Sequence, residues 1–200
     1  FAVWTSFKEN PLYAQALLDL EKSGAVLIEI DDTRPQLNGF LKLLNADMKK
    51  DLPAYFAGQA NGSYRGWDVA KVMEWNRKDS LKAMPYGQSL FQGIIDEPAI
   101  SDADFREFKE AMTATAQEYF YNLIKEHDLN GFVSINNYTA GAAAAAFFPA
   151  MTVPMGYDDK GQPYGLTFIA PNEADQLLFN WAAAYEKITK HRLLPENYKN

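Results

Sequence analysis

The first 31 residues constrain the fold most, because two apolar runs there enclose one helical segment. The runs Phe1 to Thr5 and Ala25 to Ile30 are typical of β-strands. Between them, Asn10 followed by Pro11 is a helix N-cap signature, and Gly24 is typical of the residue after a helix that needs a positive φ. Strands joined by a helical crossover run parallel. The sequence therefore predicts a β-α-β unit whose second strand, being almost continuously apolar, is covered on both faces.

Apolar residues recur at helical spacing in several later segments. We expect helices over residues 37–56 (kinked or divided at Pro53), 69–76, 89–95, 101 to about 129, and from an N-cap at Asn172 onward. The last helix should bury Leu177, Leu178, Trp181, Tyr185 and Ile188, and Pro195 should end regular structure. A buried strand is expected at Phe132 to Ile135, and a strand pair at Met151 to Met155 and Tyr164 to Ala170.

These elements together predict an α/β fold with a mixed β-sheet covered by helices. The early unit should be parallel, whereas the late strand pair, joined by the polar turn Tyr157 to Gly161, should be antiparallel. A length of 200 residues is enough for one sizeable core. Because a core strand already begins at Phe1, we expect the chain to be excised from a longer one; a processed mature start or a removed tag is the alternative.

Composition excludes several classes of function. The net charge of −7 and the absence of a concentrated basic patch argue against nucleic-acid binding. The longest apolar run is about half the length of a membrane span. Cysteine is absent, which excludes disulfides, thiol catalysis and cysteine-based zinc sites. No phosphate-binding glycine motif is present, so we expect no cofactor, and the compartment stays open.

None of the chemically capable side chains forms a catalytic motif. Ser63 and Ser89 lack the flanking glycines of a Gly-x-Ser-x-Gly nucleophile turn. His127 and His191 lie near predicted helix ends, where a histidine interacts favourably with the helix dipole, and neither has a partner at metal spacing. The pair Asp31-Asp32 ends a strand but is also typical of a turn. We therefore assign no catalytic and no metal-binding residue.

The segment from Tyr138 to Ala150 is unusually rich in glycine and alanine. Small side chains allow close approach of the backbone, which suits either a tightly packed buried helix or one wall of a ligand pocket. Under the second interpretation, the larger side chains that flank the segment are the candidates for contact with a substrate. These candidate substrate-binding residues are Asn137, Tyr138 and Phe147.

The same segment leads into a series of motifs in a defined order. Pro149-Ala150-Met151-Thr152-Val153-Pro154-Met155-Gly156 is followed by Gly161-Gln162-Pro163-Tyr164-Gly165-Leu166-Thr167-Phe168, and later by Ala183-Ala184-Tyr185-Glu186. This series resembles the C-terminal part of the amidase signature family, in particular its longer members. The resemblance also reaches the early helix–Gly-Ala–strand unit and the stretches Asp68 to Asn76 and Met84 to Phe91, so that it covers most of the chain. It implies that residues 1–200 are the C-terminal portion of an amidase domain whose N-terminal catalytic half is absent from this chain.

The resemblance implies a parent enzyme that hydrolyses carbon–nitrogen amide bonds with a serine nucleophile, a bridging serine and a lysine. This chain contains no Ser-Ser pair, so the triad cannot be assigned here and the chain alone is expected to be inactive. The partners implied are an N-terminal half of the parent amidase and a small amide substrate. Surfaces that face such a half would be exposed, which favours a homo-oligomer. The alternative is a non-catalytic binding module derived from an amidase.

Overall fold

The structure is a computed structural model, and it describes residues 1–31 and 33–194. The chain divides into two compact units. The first comprises Phe1–Leu37 and the chain from Met112 onward, and the second comprises Asn38–Ala111. The sequence-predicted break at Pro195 and the residue Asp32 lie outside the described residues. No helix in the described part of the chain is long and apolar enough to cross a membrane.

The strands are β1 (Ala2–Trp4), β2 (Ile28–Ile30), β3 (Phe132–Ile135), β4 (Ala150–Tyr157) and β5 (Pro163–Ile169). The helices are α1 (Pro11–Lys22), α2 (Phe40–Gln59), α3 (Val69–Arg77), α4 (Ser80–Ala83), α5 (Ser89–Asp96), α6 (Asp102–His127), α7 (Ala140–Ala145) and α8 (Asp175–Thr189). A short 3-10 helix, Thr5–Glu9, follows β1. The four-residue helix α4 had no clear signal in the sequence.

The five strands form one mixed sheet in the order β2-β1-β3-β5-β4. The strands β2, β1 and β3 are parallel, whereas β5 is antiparallel to both β3 and β4. The sequence prediction of an α/β fold with a mixed sheet is thereby confirmed. Helices α1 and α8 pack on the β4–β5 part of the sheet. On the face that carries Phe132, the ring of Phe120 from α6 packs edge-on against the Phe132 ring.

The predicted start of α1 is confirmed in atomic detail. The Asn10 side-chain oxygen accepts hydrogen bonds from the backbone N–H groups of Leu12 and Tyr13, at 3.0 and 3.1 Å. Gly24 has a φ of 95°, as expected after a helix end. Strand β2 differs from the prediction, because it lies at the edge of the sheet and spans only three residues. Val26, just before it, is 72% exposed, so this run is not covered on both faces.

The second unit corrects one prediction and confirms another. Helix α2 passes through Pro53 without being divided, so one of the two outcomes predicted there is wrong and a kink at Pro53 stays a prediction. The neighbouring Leu52 packs against a small apolar cluster of Val69, Met73 and Ile94, and this packing compensates for the hydrogen bond that proline removes. Ser101 followed by Asp104 three residues later is a capping-box pattern in the sequence, and the structure forms the bond that it predicts: the Ser101 hydroxyl accepts from the backbone N–H of Asp104 at 3.1 Å.

The last helix begins later than the sequence predicts. Glu173 has a left-handed φ of 61°, which prevents a helix from starting at Asn172, and α8 begins at Asp175. Its buried residues are Leu178, Ala182 and Tyr185, at the i, i+4, i+7 spacing of one helix face. The prediction that Leu177 and Ile188 are buried was therefore wrong, because both are exposed in the structure.

Two buried tyrosines make the stability of the first unit depend on pH in the alkaline range. Burial raises the pKa of Tyr13, and burial together with the negative charge of Asp19 raises the pKa of Tyr185. Above a pH of about 10, the unfolded chain loses these phenolic protons while the folded chain retains them. We therefore expect the free energy of unfolding to fall by about 1.4 kcal/mol per pH unit for each tyrosine.

Urea denaturation at several values between pH 9 and 11 measures this slope. The Tyr13→Phe variant should show a shallower decline than the wild type, even though it also loses the hydrogen bond of 2.7 Å that Tyr13 donates to the Val133 carbonyl. Tyr86→Phe is the matched control, since Tyr86 is fully exposed. An unchanged slope in Tyr13→Phe would contradict the prediction.

Candidate functional site

The loop between β3 and α7 is held to the sheet by Asn136. This residue has a left-handed φ of 48°, a conformation that asparagine tolerates better than most residues. Its backbone N–H donates to the Gly165 carbonyl, and its side-chain oxygen accepts from the Gly165 N–H, both at 2.8 Å. Its carbonyl accepts from the Thr167 hydroxyl at 2.5 Å. Asn136 therefore sets the position of the two candidate residues that follow it.

A row of hydroxyl groups crosses three strands beneath this loop. Ser134 pairs with Thr167 across β3 and β5, and Thr167 pairs with Thr152 across β5 and β4. The Thr152 and Thr167 hydroxyl oxygens lie 2.7 Å apart. Because Thr167 donates its only hydroxyl proton to the Asn136 carbonyl, Thr152 must donate to Thr167. The row thus joins the loop to the edge strand.

Ser134 is not arranged as a nucleophile in this structure. Its side chain is fully buried, and its hydroxyl lies 2.7 Å from the Thr139 hydroxyl, which is a poor base. A serine nucleophile needs an adjacent base and access to substrate. Ser63 and Ser89 are exposed residues of the second unit. Among residues 1–31 and 33–194, no group of three or more His, Asp or Glu side chains could hold a metal ion.

The three candidate substrate-binding residues lie at the two ends of α7. Asn137 and Tyr138 are adjacent and exposed before the helix, and Tyr138 is 56% exposed. Phe147 follows the helix and is 63% exposed. A helix of six residues is about 9 Å long, so it separates Phe147 from the other two. Whether they contact a substrate stays a prediction.

The two faces of α7 differ in burial, and the pocket-wall interpretation of the small-residue segment stays a prediction. Ala143 and Ala146 are buried, and the Ala146 carbonyl accepts a hydrogen bond from the Gln117 side chain at 3.2 Å. Ala140 and Ala144 are exposed. One face of the helix is therefore packed core, and the other is available as a wall.

Phe147 occupies a position that normally belongs to glycine. The Phe148 N–H donates to the Ala143 carbonyl at 2.9 Å, and the Phe147 N–H donates to the Ala144 carbonyl at 3.1 Å. This pair of bonds is the Schellman pattern, in which the penultimate residue has a positive φ. Phe147 has a φ of 58°, which is costly for an aromatic residue. The next residue, Phe148, is buried and stacks on Phe120 at 4.9 Å between ring centroids.

Sequence reasoning missed a residue that contacts this site. Arg34, in the loop after β2, donates from its Nη1 atom to the Tyr138 carbonyl at 3.4 Å. The Arg34 guanidinium carbon also lies 4.9 Å from the centroid of the Phe7 ring. The available signal was topological: the carboxyl ends of parallel strands lie at one edge of a sheet, so loops after β1, β2 and β3 meet there.

The motifs that carry the family resemblance occupy consecutive elements of the first unit. The segment after α7 forms the edge strand β4, the following motif forms the turn and β5, and the Ala183-Ala184-Tyr185-Glu186 stretch lies on α8. Tyr185 is buried in the core. This series of motifs therefore contributes to the packed core of the first unit.

Comparison with known proteins supports this resemblance. No protein-family model matches the chain. A probable amidase of Arabidopsis thaliana is 24% identical over 199 residues, which cover 94% of this chain and 38% of that protein. The crystal structure of an amidase family protein from Bacillus anthracis superimposes with a TM-score of 0.80 at 25% identity, covering 98% of this chain and 39% of that one.

A third similar protein is the native peptide amidase from Stenotrophomonas maltophilia. It shares the fold with a TM-score of 0.75 at 23% identity, over 99% of this chain and 44% of that protein. The chain thus spans about two fifths of the length of the relatives it matches. Its sequence is similar to those of amidases, and it has the fold of the corresponding part of these amidase structures.

Proposed function

We propose that this chain forms the C-terminal part of an amidase-type hydrolase that cleaves the carbon–nitrogen bond of a small linear amide. The observation that carries the proposal is the similarity to amidases over 94% or more of the chain, against about two fifths of their length. In this proposal the serine, bridging serine and lysine belong to an N-terminal part of the same enzyme. The serine hydroxyl attacks the amide carbonyl, ammonia or an amine leaves, and water then releases the acid.

The chain has two roles in this proposal. The buried core of the first unit, with the hydroxyl row and Asn136, holds the loop before α7 in place. The exposed face of α7 and its flanking residues Asn137, Tyr138 and Phe147 form part of the substrate pocket. Exposed aromatic side chains at both ends of a short helix suit the apolar walls that small-molecule sites usually have.

The second candidate function is a non-catalytic binding module of amidase origin. It is favoured by the absence of a Ser-Ser pair from the sequence and by the pairing of the buried Ser134 with another hydroxyl. Under this alternative, α7 and its flanking residues would bind a ligand without turnover. The sequence encoded upstream of Phe1 discriminates between the two: a lysine and a Gly/Ser-rich Ser-Ser stretch favour the hydrolase, and an unrelated domain favours the module.

Release of ammonia from a panel of simple amides tests the proposed hydrolase. The assay compares the 200-residue chain with the protein read from the upstream reading frame. We expect turnover only in the longer protein and loss of that turnover after treatment with a serine-directed fluorophosphonate. Turnover by the 200-residue chain alone would show that the assignment of the triad is wrong. Inactivity of both proteins would favour the binding module.

The homo-oligomer expected for the 200-residue chain stays a prediction, and its measurement is independent of the amidase assay. Several large apolar side chains are exposed in this chain, among them Leu81, Leu90 and Phe179. Sedimentation velocity of the 200-residue chain at micromolar concentration should show a dimer or larger species. A purely monomeric profile would contradict the expectation that the exposed surfaces associate.

A further inference from the structure

Three loops meet around the Phe7 ring at the carboxyl ends of the parallel strands. Phe7 lies in the 3-10 helix after β1, Arg34 in the loop after β2, and Tyr138 in the loop after β3. The Arg34 guanidinium lies over the Phe7 ring, and the Tyr138 ring lies 5.8 Å from it between centroids. Ligands of open α/β sheets bind outside the carboxyl ends of the strands, so this edge is where a ligand is expected.

Arg34 is held in place although its side chain is exposed. Phe7 is buried and is itself packed between the Trp4 and Tyr13 rings, at 6.0 and 5.9 Å. The guanidinium carbon therefore lies 4.9 Å from the centroid of a ring that is itself packed in place, and one guanidinium N–H donates to the Tyr138 carbonyl at 3.4 Å. An arginine fixed in this way loses less side-chain entropy when it binds a further partner.

Toward the residues that the structure describes, Arg34 uses few of its hydrogen-bond donors. A guanidinium carries five N–H donors, and one of them is bonded to a described residue, at the Tyr138 carbonyl. Among residues 1–31 and 33–194, Arg34 forms no ion pair with a carboxylate at 4 Å or less. The nearby Lys8 and Glu29 are paired with each other at 2.5 Å. The other N–H groups of the Arg34 guanidinium thus form an exposed, positively charged set of donors beside Tyr138.

We propose that Arg34 binds a carboxylate group of the substrate, so that the preferred substrate is a small amide that carries a carboxylate remote from the scissile bond. The planar guanidinium can donate two parallel hydrogen bonds to the two oxygens of one carboxylate, which a lysine cannot do. The inference rests on the proposed amidase function, since it assigns the substrate class of the same site. Tyr138 and Asn137 would contact the chain between the carboxylate and the amide.

A matched pair of amides tests this selectivity in the full protein, meaning the longer protein read from the upstream reading frame. Succinamate carries the carboxylate, and 4-methylpentanamide replaces its two oxygens by methyl groups. We expect the ratio of kcat/KM for succinamate to that for 4-methylpentanamide to fall by about tenfold in Arg34→Gln. Arg34→Lys should retain part of the preference, because it keeps the positive charge but loses the paired N–H donors of the guanidinium.

Arg65→Gln is the matched control, since Arg65 is also exposed and also donates to a backbone carbonyl at 3.4 Å, that of Ala60. Its ratio should equal that of the wild type. An unchanged ratio in Arg34→Gln, with amidase activity preserved, would overturn the inference and leave the proposed function intact. A wild-type preference for the neutral amide would overturn it as well.

Equilibrium binding of succinamate, measured by calorimetry on the wild type and the Arg34→Gln, Arg34→Lys and Arg65→Gln variants, separates the two proposals. If the full protein hydrolyses no amide but binds succinamate, and Arg34→Gln abolishes that binding, the amidase proposal fails and the carboxylate site stands. If the protein hydrolyses no amide and binds no succinamate, both fail. Binding that is equal in Arg34→Gln and wild type also overturns the carboxylate site.

Discussion

Replacing Gly165 with alanine should lower the free energy of unfolding by about 2–3 kcal/mol. A β-carbon at this position would collide with the Cγ2 methyl group of Thr152 on the neighbouring strand. Thr152 cannot turn away without cost, because its hydroxyl donates to Thr167, and Thr167 in turn holds the Asn136 carbonyl. Both backbone groups of Gly165 are also bonded to Asn136. The collision therefore strains the loop that positions Asn137 and Tyr138.

A second substitution can remove the cause of this strain. Thr152→Ser deletes the Cγ2 methyl group and keeps the hydroxyl that bonds Thr167. The double variant Gly165→Ala with Thr152→Ser should recover about 1–2 kcal/mol of the loss, and urea denaturation of the four proteins measures this coupling. Gly58→Ala is the control: Gly58 lies in α2, no atom lies within 4 Å of its added β-carbon, and stability should rise by about 0.5–1 kcal/mol. Additive effects of the first two substitutions would contradict the steric explanation.

Replacing Phe147 should separate the function of this residue from its contribution to stability. The Phe147→Gly variant removes an unfavourable left-handed conformation, so its free energy of unfolding should be unchanged or higher by up to about 1 kcal/mol. The ring is mostly exposed, so little burial is lost. If Phe147 forms a wall of the substrate pocket, kcat/KM of the full protein for its amide should nevertheless fall by about tenfold.

Phe179→Ala is the matched control for activity, and Phe147→Ala is compared with it. Phe179 is 59% exposed, close to the exposure of Phe147, but lies on α8 rather than beside α7. Activity should fall in Phe147→Ala and stay at the wild-type level in Phe179→Ala. Equal losses in both variants would indicate a general effect of removing exposed aromatic rings. A large loss of stability in Phe147→Gly would contradict the assignment of Phe147 to a glycine-type position.

The strongest sequence signals were local, and the structure confirms them. Asn10 and Ser101 accept the cap hydrogen bonds that their positions predict, because a cap depends on three or four consecutive residues. The strand pair β4–β5 also follows from its own segment, since the apolar runs and the polar turn between them are adjacent in the chain. Signals of this kind need no knowledge of distant residues.

The sequence predictions failed where contacts between residues distant in the chain determine the local structure. Pro53 does not divide α2, which was one of the two outcomes predicted there, because Leu52 packs against a cluster from α3 and α5. The run Ala25 to Ile30 is apolar, but its place at the sheet edge, which depends on the order of all five strands, leaves Val26 exposed. The start of α8 was misplaced because the left-handed conformation of Glu173 has no clear signature in its residue type.

By itself, the sequence determined the α/β class, the parallel early unit, the antiparallel late pair and the motif order that resembles the amidase signature family. Each of these depends on periodicity or on short motifs, which are written in consecutive residues. Only the tertiary structure decided that Arg34 meets Phe7 and Tyr138, and that Ser134, Thr167 and Thr152 form one row. These residues are far apart in the chain, and they come together because strand order and register place them side by side.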